Sequence, residues 1–407
     1  MKKVNFRLLA MFFAAFALVV TMTSCDDDDD DNGNGDNGND TGNVIVKQNI
    51  TENTTWSNDN IYQLAGRIAV EDGATLTIQP GTIIKGELGA GANATALLVA
   101  RGGKLLAEGT PEAPIIFTSV GDEITLADVA EGNFGSPNLE PDANGLWGGV
   151  LILGKAPISA SNDAGDVNEI QIEGIPTSDQ NGLYGGNQSD DNSGVIKYVS
   201  IRHGGANIGS GNEINGLSLG GVGNGTTVEN IEIVANQDDG VEWFGGTVNV
   251  KNVLTWNVGD DGLDTDQSWA GTVDNFITIA PTGHAFELDG PEGSMEAGHT
   301  IKNGSVITTD SEFGRTTEDL INVDDNSIVD LENIFFTGIV EGQQINNVTA
   351  AGVTFTNIML DVPEDNLSDH VNGDVPQGVS AGGSSQTNTS AFSGWTWAAQ
   401  AGAYSDL

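Results

Sequence analysis

The sequence predicts an all-β chain wound as a parallel solenoid, and two interleaved repeats carry that expectation. Asp238-Asp239-Gly240-Val241-Glu242 returns as Asp260-Asp261-Gly262-Leu263-Asp264, and His284-Ala285-Phe286-Glu287-Leu288-Asp289 follows at a similar interval. Between these blocks run Val228-Glu229-Asn230-Ile231, Val250-Lys251-Asn252-Val253 and Val273-Asp274-Asn275-Phe276, whose asparagines stand 22 and then 23 residues apart. A period in the low twenties is the length of one solenoid coil. Equivalent positions of such a fold stack one strand spacing apart, so a repeated residue becomes a column of like side chains. Composition agrees: helical periodicity is nearly absent, and short β-branched runs alternate with Asn, Asp and many of the 56 glycines, as tight turns require.

The chain opens with Lys2, Lys3 and Arg7, then an apolar run from Leu8 to Val20, then Thr21-Met22-Thr23-Ser24 before Cys25. Residues 1–24 thus have the layout of a secretory signal, and the apolar run is too short for a comfortable transmembrane helix. Cys25 is the one cysteine, which excludes an intramolecular disulfide. Asp26 to Asp31 and an Asn, Gly and Asp tract follow, so residues 25–43 read as a solvated tether. Met22-Thr23-Ser24-Cys25 resembles a bacterial lipobox, with Met22 where Leu is usual, and this implies that Cys25 is lipidated. The acidic run after it resembles the surface-export signal of Bacteroidetes-type lipoproteins. That resemblance implies an outer-membrane protein facing the exterior, with an outer-membrane transporter as a possible partner; a plain spacer is the alternative.

Residues 1–24 hold three basic and no acidic residues, so the mature chain sets 11 basic against 58 acidic residues, a formal charge of −47. Nucleic acid and anionic lipid both need a basic face, and are excluded as partners. A polyuronate is disfavoured as well unless a divalent cation bridges it.

From Val44 to residue 360 the strand phrases recur: Ala74-Thr75-Leu76-Thr77-Ile78, Pro114-Ile115-Ile116-Phe117-Thr118 and Trp147-Gly148-Gly149-Val150-Leu151-Ile152. These phrases resemble the right-handed parallel β-helix proteins related to pectate lyases and polygalacturonases, over residues 44–360. The resemblance implies one elongated domain and says little of activity, because that fold hosts many functions. Residues 121–145 and 155–195 read as loops on one side. Residues 361–407 end in Phe392-Ser393-Gly394-Trp395-Thr396-Trp397, an aromatic segment expected to cover the last coil. Asn230, Asn252, Asn275 and Asn303 are assigned to a structural ladder, since asparagine tolerates the left-handed conformation and its amide bonds to the next coil.

Alternation along the strands turns Val241, Trp243, Leu263, Thr265, Phe286 and Leu288 inward. Glu242, Asp264 and Glu287 then face outward in one column, and Phe244, Asp266 and Asp289 in the next. Asp264, Asp266, Glu287 and Asp289 form a square, about 4.8 Å between coils and about 7 Å along each strand. Three readings of it compete: a Ca²⁺ site on this square with Glu242, a solvated acidic face, and catalytic carboxylates. Trp269 beside the grid is a candidate for stacking on a sugar, with packing over the coil edge as the alternative, and Phe244 is an outward apolar residue that invites a cover. Asp238, Asp239, Asp260 and Asp261 look superficially like the paired aspartates of polygalacturonase-type hydrolases, yet the Gly-His-Gly and Arg-x-Lys elements of that family are missing and Asp-Asp-Gly is a common turn. Arg202-His203 is placed at a coil edge as surface. The function read from all this is a lipid-anchored binding face for glycan, calcium or both; a polysaccharide lyase or inverting hydrolase, and an accessory subunit of an uptake system, are the alternatives.

Overall fold

A computed structural model describes residues 42–207 and 214–407. The leader, Cys25 and most of the tether fall outside the described residues. What is described is a single right-handed parallel β-helix. Each middle coil gives one short strand to an 8-stranded parallel sheet and one long strand to a 15-stranded sheet. Short strands Leu217–Gly220, Val241–Phe244, Leu263–Asp266 and His284–Leu288 pair in that order, so Leu217, Val241, Leu263 and Phe286 stack along the axis. The residues expected to face inward do so: Val241, Trp243, Leu263, Phe286 and Leu288 are sealed in the core, with Thr265 beside them.

Each long strand bends at one left-handed residue. Tyr198, Asn230, Asn252, Asn275, Asn303, Asn333 and Asn357 have φ between 50° and 67°, and the pairing ladder skips these positions, for instance between Lys251↔Asp274 and Val253↔Phe276. The asparagine amides form the expected chain: Asn252 Nδ2 donates to Asn230 Oδ1 at 2.8 Å, and Asn275 Nδ2 to Asn252 Oδ1 at 2.7 Å. Beyond Asn275 the ladder is interrupted. Asn275 Oδ1 instead accepts from the backbone of Asn388, and Asn303 turns to Asp274 Oδ1. Replacing Asn252 by Ala removes a donor from Asn230 and an acceptor from Asn275, both buried, and should lower stability by about 1–3 kcal/mol in denaturant titration. An unchanged midpoint would mean that the ladder is ornamental.

Asn388 marks where the C-terminal segment crosses the molecule, and its position corrects one expectation. Phe392, Trp395, Trp397 and Tyr404 do not cover the last coil. They pack on Val234, Leu254, Trp256, Ile277 and Ile279, outward apolar residues of the middle long strands. An apolar strip of that size on the outer face of a sheet requires a cover. The last coils are closed instead by the turn Glu364–His370, which sends Leu367 into the core, and parallel pairing runs past residue 360 to Val379–Ala381.

The same segment overturns the surface placement of Arg202-His203. Both side chains are fully buried. Arg202 lies 5.1 Å from the centre of the Trp397 ring and 3.6 Å from Glu232 Oε2. Glu232 in turn accepts from Ser200 Oγ and from the backbone N–H of Ala398. His203 Nδ1 contacts Ala143 O at 2.5 Å, and burial drives its pKa down to about 4, so the ring is neutral at physiological pH.

Candidate functional site

The outer face of the short-strand sheet changes character along the axis. One register column reads Ala69, Leu98, Leu151, Ser218, Glu242, Asp264, Glu287, Asn322. Its apolar end is roofed by the loop of residues 155–193, whose Ile158, Ile172, Ile175 and Tyr184 pack against Leu98, Leu151, Leu153 and Phe244. Gly220 permits this roof, since a Cβ there would stand 2.9 Å from the Tyr184 ring. Where the roof ends, the carboxylates begin. Tyr184 Oη and Gln267 Oε1 meet at 2.9 Å on that border, and Gln267 Nε2 continues to Glu292 Oε2 at 3.0 Å.

Neither aromatic expected to meet a ligand is available to one. Phe244 is buried under Tyr184, their ring centres 6.0 Å apart, which is the cover its outward position called for. Trp269 is 1% exposed, stacked on Trp243 at 4.8 Å, with Nε1 donating to Val248 O. Its direction is set by Gln267 and Ser268, whose φ of 52° and 56° turn the chain back across the coil edge. Of the two placements open from the sequence, packing is the observed one.

A second acidic column stands two residues before the inward positions. Leu217, Val241, Leu263 and Phe286 are aligned, so Asn215, Asp239, Asp261 and His284 are aligned too. Asp239 Oδ1 accepts the backbone N–H of Asp261 at 2.9 Å, and Asp261 Oδ1 accepts that of His284, whose Nδ1 lies 3.0 Å from the same oxygen. The second aspartate of each Asp-Asp-Gly therefore holds the turn of the next coil. Gly240 and Gly262 complete the turns, because a Cβ on either would strike Thr255 or Thr278.

These columns revise the expected ligand set. Carboxylate oxygens of Asp239, Glu242 and Asp264 lie within 4.8 Å of one another, as do ligating atoms of Asp261, His284 and Glu287. The square of Asp264, Asp266, Glu287 and Asp289 is thus divided. Asp264 joins Asp239 and Glu242, Glu287 joins Asp261 and His284, and Asp266 and Asp289 stand outside both groups. Glu242 is also not outward in the sense of being wet, since it is only 7% exposed and bonded to Asn215 Nδ2. Asn215, Asp239, Asp261 and His284 are the members of the site that the sequence reading did not select. The signal was present in the same repeat, at the position two residues upstream of each inward residue.

The charges are arranged against one another. Burial, then the neighbouring carboxylates, holds Asp239, Glu242 and Asp264 well above the usual carboxylate range. Burial and then Glu292 raise Asp266 to about 7, and burial and then Asp324 raise Asp289 to about 6. Glu287 is pushed up to about 8 by burial and by its hydrogen bond with Asp261. For Asp261 burial acts upward, but hydrogen bonds with His284 and Glu287 prevail and leave it below the usual range. His284 rises to about 9 through the same hydrogen bond, against burial. At neutral pH this corner holds a protonated Glu287, an ionised Asp261 and a cationic His284 side by side.

A right-handed parallel β-helix with an acidic strip beyond a roofed apolar half defines the class of this protein. Residues 48–402 match the model of the pectate-lyase-like beta helix domain, and the chain belongs to that family. Among solved structures it is similar to the catalytic unit of the thermostable GH87 alpha-1,3-glucanase from Streptomyces thermodiastaticus strain HF3-3. The identity is 13% over 88% of this chain, with a TM-score of 0.27, and the match spans 64% of the length of that unit. No curated protein matches the chain.

Proposed function

We propose that this chain is a carbohydrate-directed protein displayed outside the cytoplasm, held by a lipidated Cys25, that binds a neutral glycan along Asp264, Asp266, Glu287 and Asp289. The observation that carries the reading is that these four half-exposed carboxyl groups repeat on adjacent coils as an open polar strip. The roof and the turn after Leu288 border it, tied together by Ser161 Oγ donating to Glu292 O at 2.9 Å. Carboxyl groups accept hydrogen bonds from sugar hydroxyls when ionised and also donate them when protonated, as Glu287 is at neutral pH, while the acidity of the whole chain repels uronic acids. Titration calorimetry against a panel of neutral and acidic polysaccharides tests this. The double variant Asp266→Asn, Asp289→Asn should bind the neutral ligand at least about tenfold more weakly. Binding confined to polyuronates would sink the reading.

Cleavage is a second reading, favoured by the Asp261, His284 and Glu287 corner. Glu287 carries a proton where Asp289, about 7 Å along the strand, is ionised above pH 6. Inverting glycosidases hold the carboxyl groups of their acid and base about 6.5–9.5 Å apart, a separation that two side chains with this backbone spacing can span. In this reading Glu287 protonates the leaving oxygen and Asp289 activates water. Glu287→Gln should then cut release of reducing ends by about 100-fold or more, and release unaffected by the change would exclude Glu287 as the acid.

Placement at the cell surface rests on the lipobox resemblance, and an outer-membrane transporter is the partner it implies. Cys25→Ala should move the protein from the detergent phase to the aqueous phase with its melting temperature unchanged. Continued partitioning into detergent would mean that another segment anchors it.

A further inference from the structure

Asp239, Glu242 and Asp264 form a group that their protein surroundings leave incomplete. The strongest electrostatic neighbours of Glu242 are Asp239, Glu173, Asp266 and Asp238, and those of Asp264 are Glu242, Glu287, Asp261 and Asp266; all are carboxylates. Like charges at such separations in a partly dry site repel strongly unless protons or a cation offset them. Among the described residues no lysine or arginine is paired with any of the three.

A second observation is independent of the acidic residues. Asn215, 1% exposed, stands at the head of the same column with its amide against Glu242. Its Oδ1 has no hydrogen-bond partner, and neither has Asp264 Oδ1. Buried oxygens without a donor are rare in folded proteins. Here Nδ2 faces Glu242, and a half-turn about the terminal torsion of the amide would present the oxygen to an ion in its place.

We propose that Asp239, Glu242, Asp264 and the amide oxygen of Asn215 bind a hard divalent cation of the Ca²⁺ type, as a buried ion that locks three coils in register. Four protein oxygens with water completing the shell suit an ion that takes six to eight oxygen ligands. Asp239 and Glu242 are 6% and 7% exposed, so the ion is structural and a sugar does not reach it. The site shares Asp264 with the strip proposed to bind a glycan, while Asp266 and Asp289 belong to the strip alone and separate the two proposals in the test.

Calcium titration of the full-length protein after EDTA dialysis, followed by calorimetry and by melting temperature, tests it. One equivalent should bind and raise the melting temperature by mass action on the folded state. Glu242→Gln, nearly isosteric, should weaken binding at least tenfold, whereas Asp266→Asn with Asp289→Asn should leave it within about threefold. Asn215→Asp adds a charged ligand and should tighten binding; if Asn215 serves only as a donor to Glu242, the same change adds repulsion and weakens it. Metal content of the untreated wild type by mass spectrometry keeps the proposal testable should Glu242→Gln fail to fold. No uptake by the wild type, uptake that survives Glu242→Gln unchanged, or weaker uptake in Asn215→Asp would each overturn it.

Discussion

Glu232→Ala is expected to destabilise the protein by about 3–5 kcal/mol, the loss that follows when one partner of a buried ion pair is removed and the other remains charged. Arg202 cannot shed its proton at any accessible pH, and with Glu232 gone it would keep the Ser200 hydroxyl, the Trp397 ring and the weaker attraction of Asp122. The pair is not a source of net stability in its own right. Burial shifts Glu232 upward and Arg202 downward despite their mutual attraction, so desolvation outweighs Coulomb for both. Substituting both at once, Arg202→Met with Glu232→Leu, should therefore recover most of the loss. Because Glu232 also accepts from Ala398, its removal should loosen the C-terminal segment, read as faster amide exchange at Trp397 and Ala398. A Glu232→Ala protein as stable as the wild type would show that the segment is held by its aromatic residues alone.

The ion-free protein should lose stability as pH rises from about 5 to 8, opposite to what an acid-sensitive protein shows. Asp266, Asp289 and Glu287 have folded-state pKa values raised to about 7, 6 and 8. A raised value means that the folded state binds protons more tightly than the unfolded one. The associated stability is fully present below the unfolded values near 4 and is lost as pH passes through the folded ones. His284, raised to about 9, acts in the same direction over a higher range. Asp261 is depressed and opposes them only in acid, below its unfolded value. Calorimetric melting in EDTA should show a falling midpoint across this window, and Asp266→Asn should flatten it. A midpoint flat across this window would mean that these carboxyl groups are solvated as freely in the folded protein as in the unfolded chain, and one that climbs would mean that folding favours their anions.

Much of the fold was legible because a β-helix writes its geometry into the sequence period. The 22- and 23-residue steps between Asn230, Asn252 and Asn275 are coil lengths, and the left-handed turn with its amide ladder follows from what asparagine tolerates. Strand alternation placed Trp243, Leu263 and Phe286 in the core, and it identified Phe244 as an apolar residue in need of cover. What alternation does not report is the fate of the face it turns outward. Glu242 and Asp264 share one column with Leu98 and Leu151, and one end of that column is roofed by residues 155–193 while the other is half open.

Local periodicity by itself determined the class of fold, the axis of stacking and the set of columns, since each depends only on residues one coil apart. Contacts between distant segments decided the rest. Trp397 meets Arg202 across 195 positions of sequence and Ala398 meets Glu232 across 166, so no repeat announces that a basic pair near the middle will be sealed by the C-terminus. Asn215, Asp239, Glu242 and Asp264 likewise come from three coils and two columns. Their grouping depends on side-chain reach across columns as well as on register, and it is the tertiary structure that brings the three carboxylates within 4.8 Å of one another and sets the Asn215 amide against Glu242.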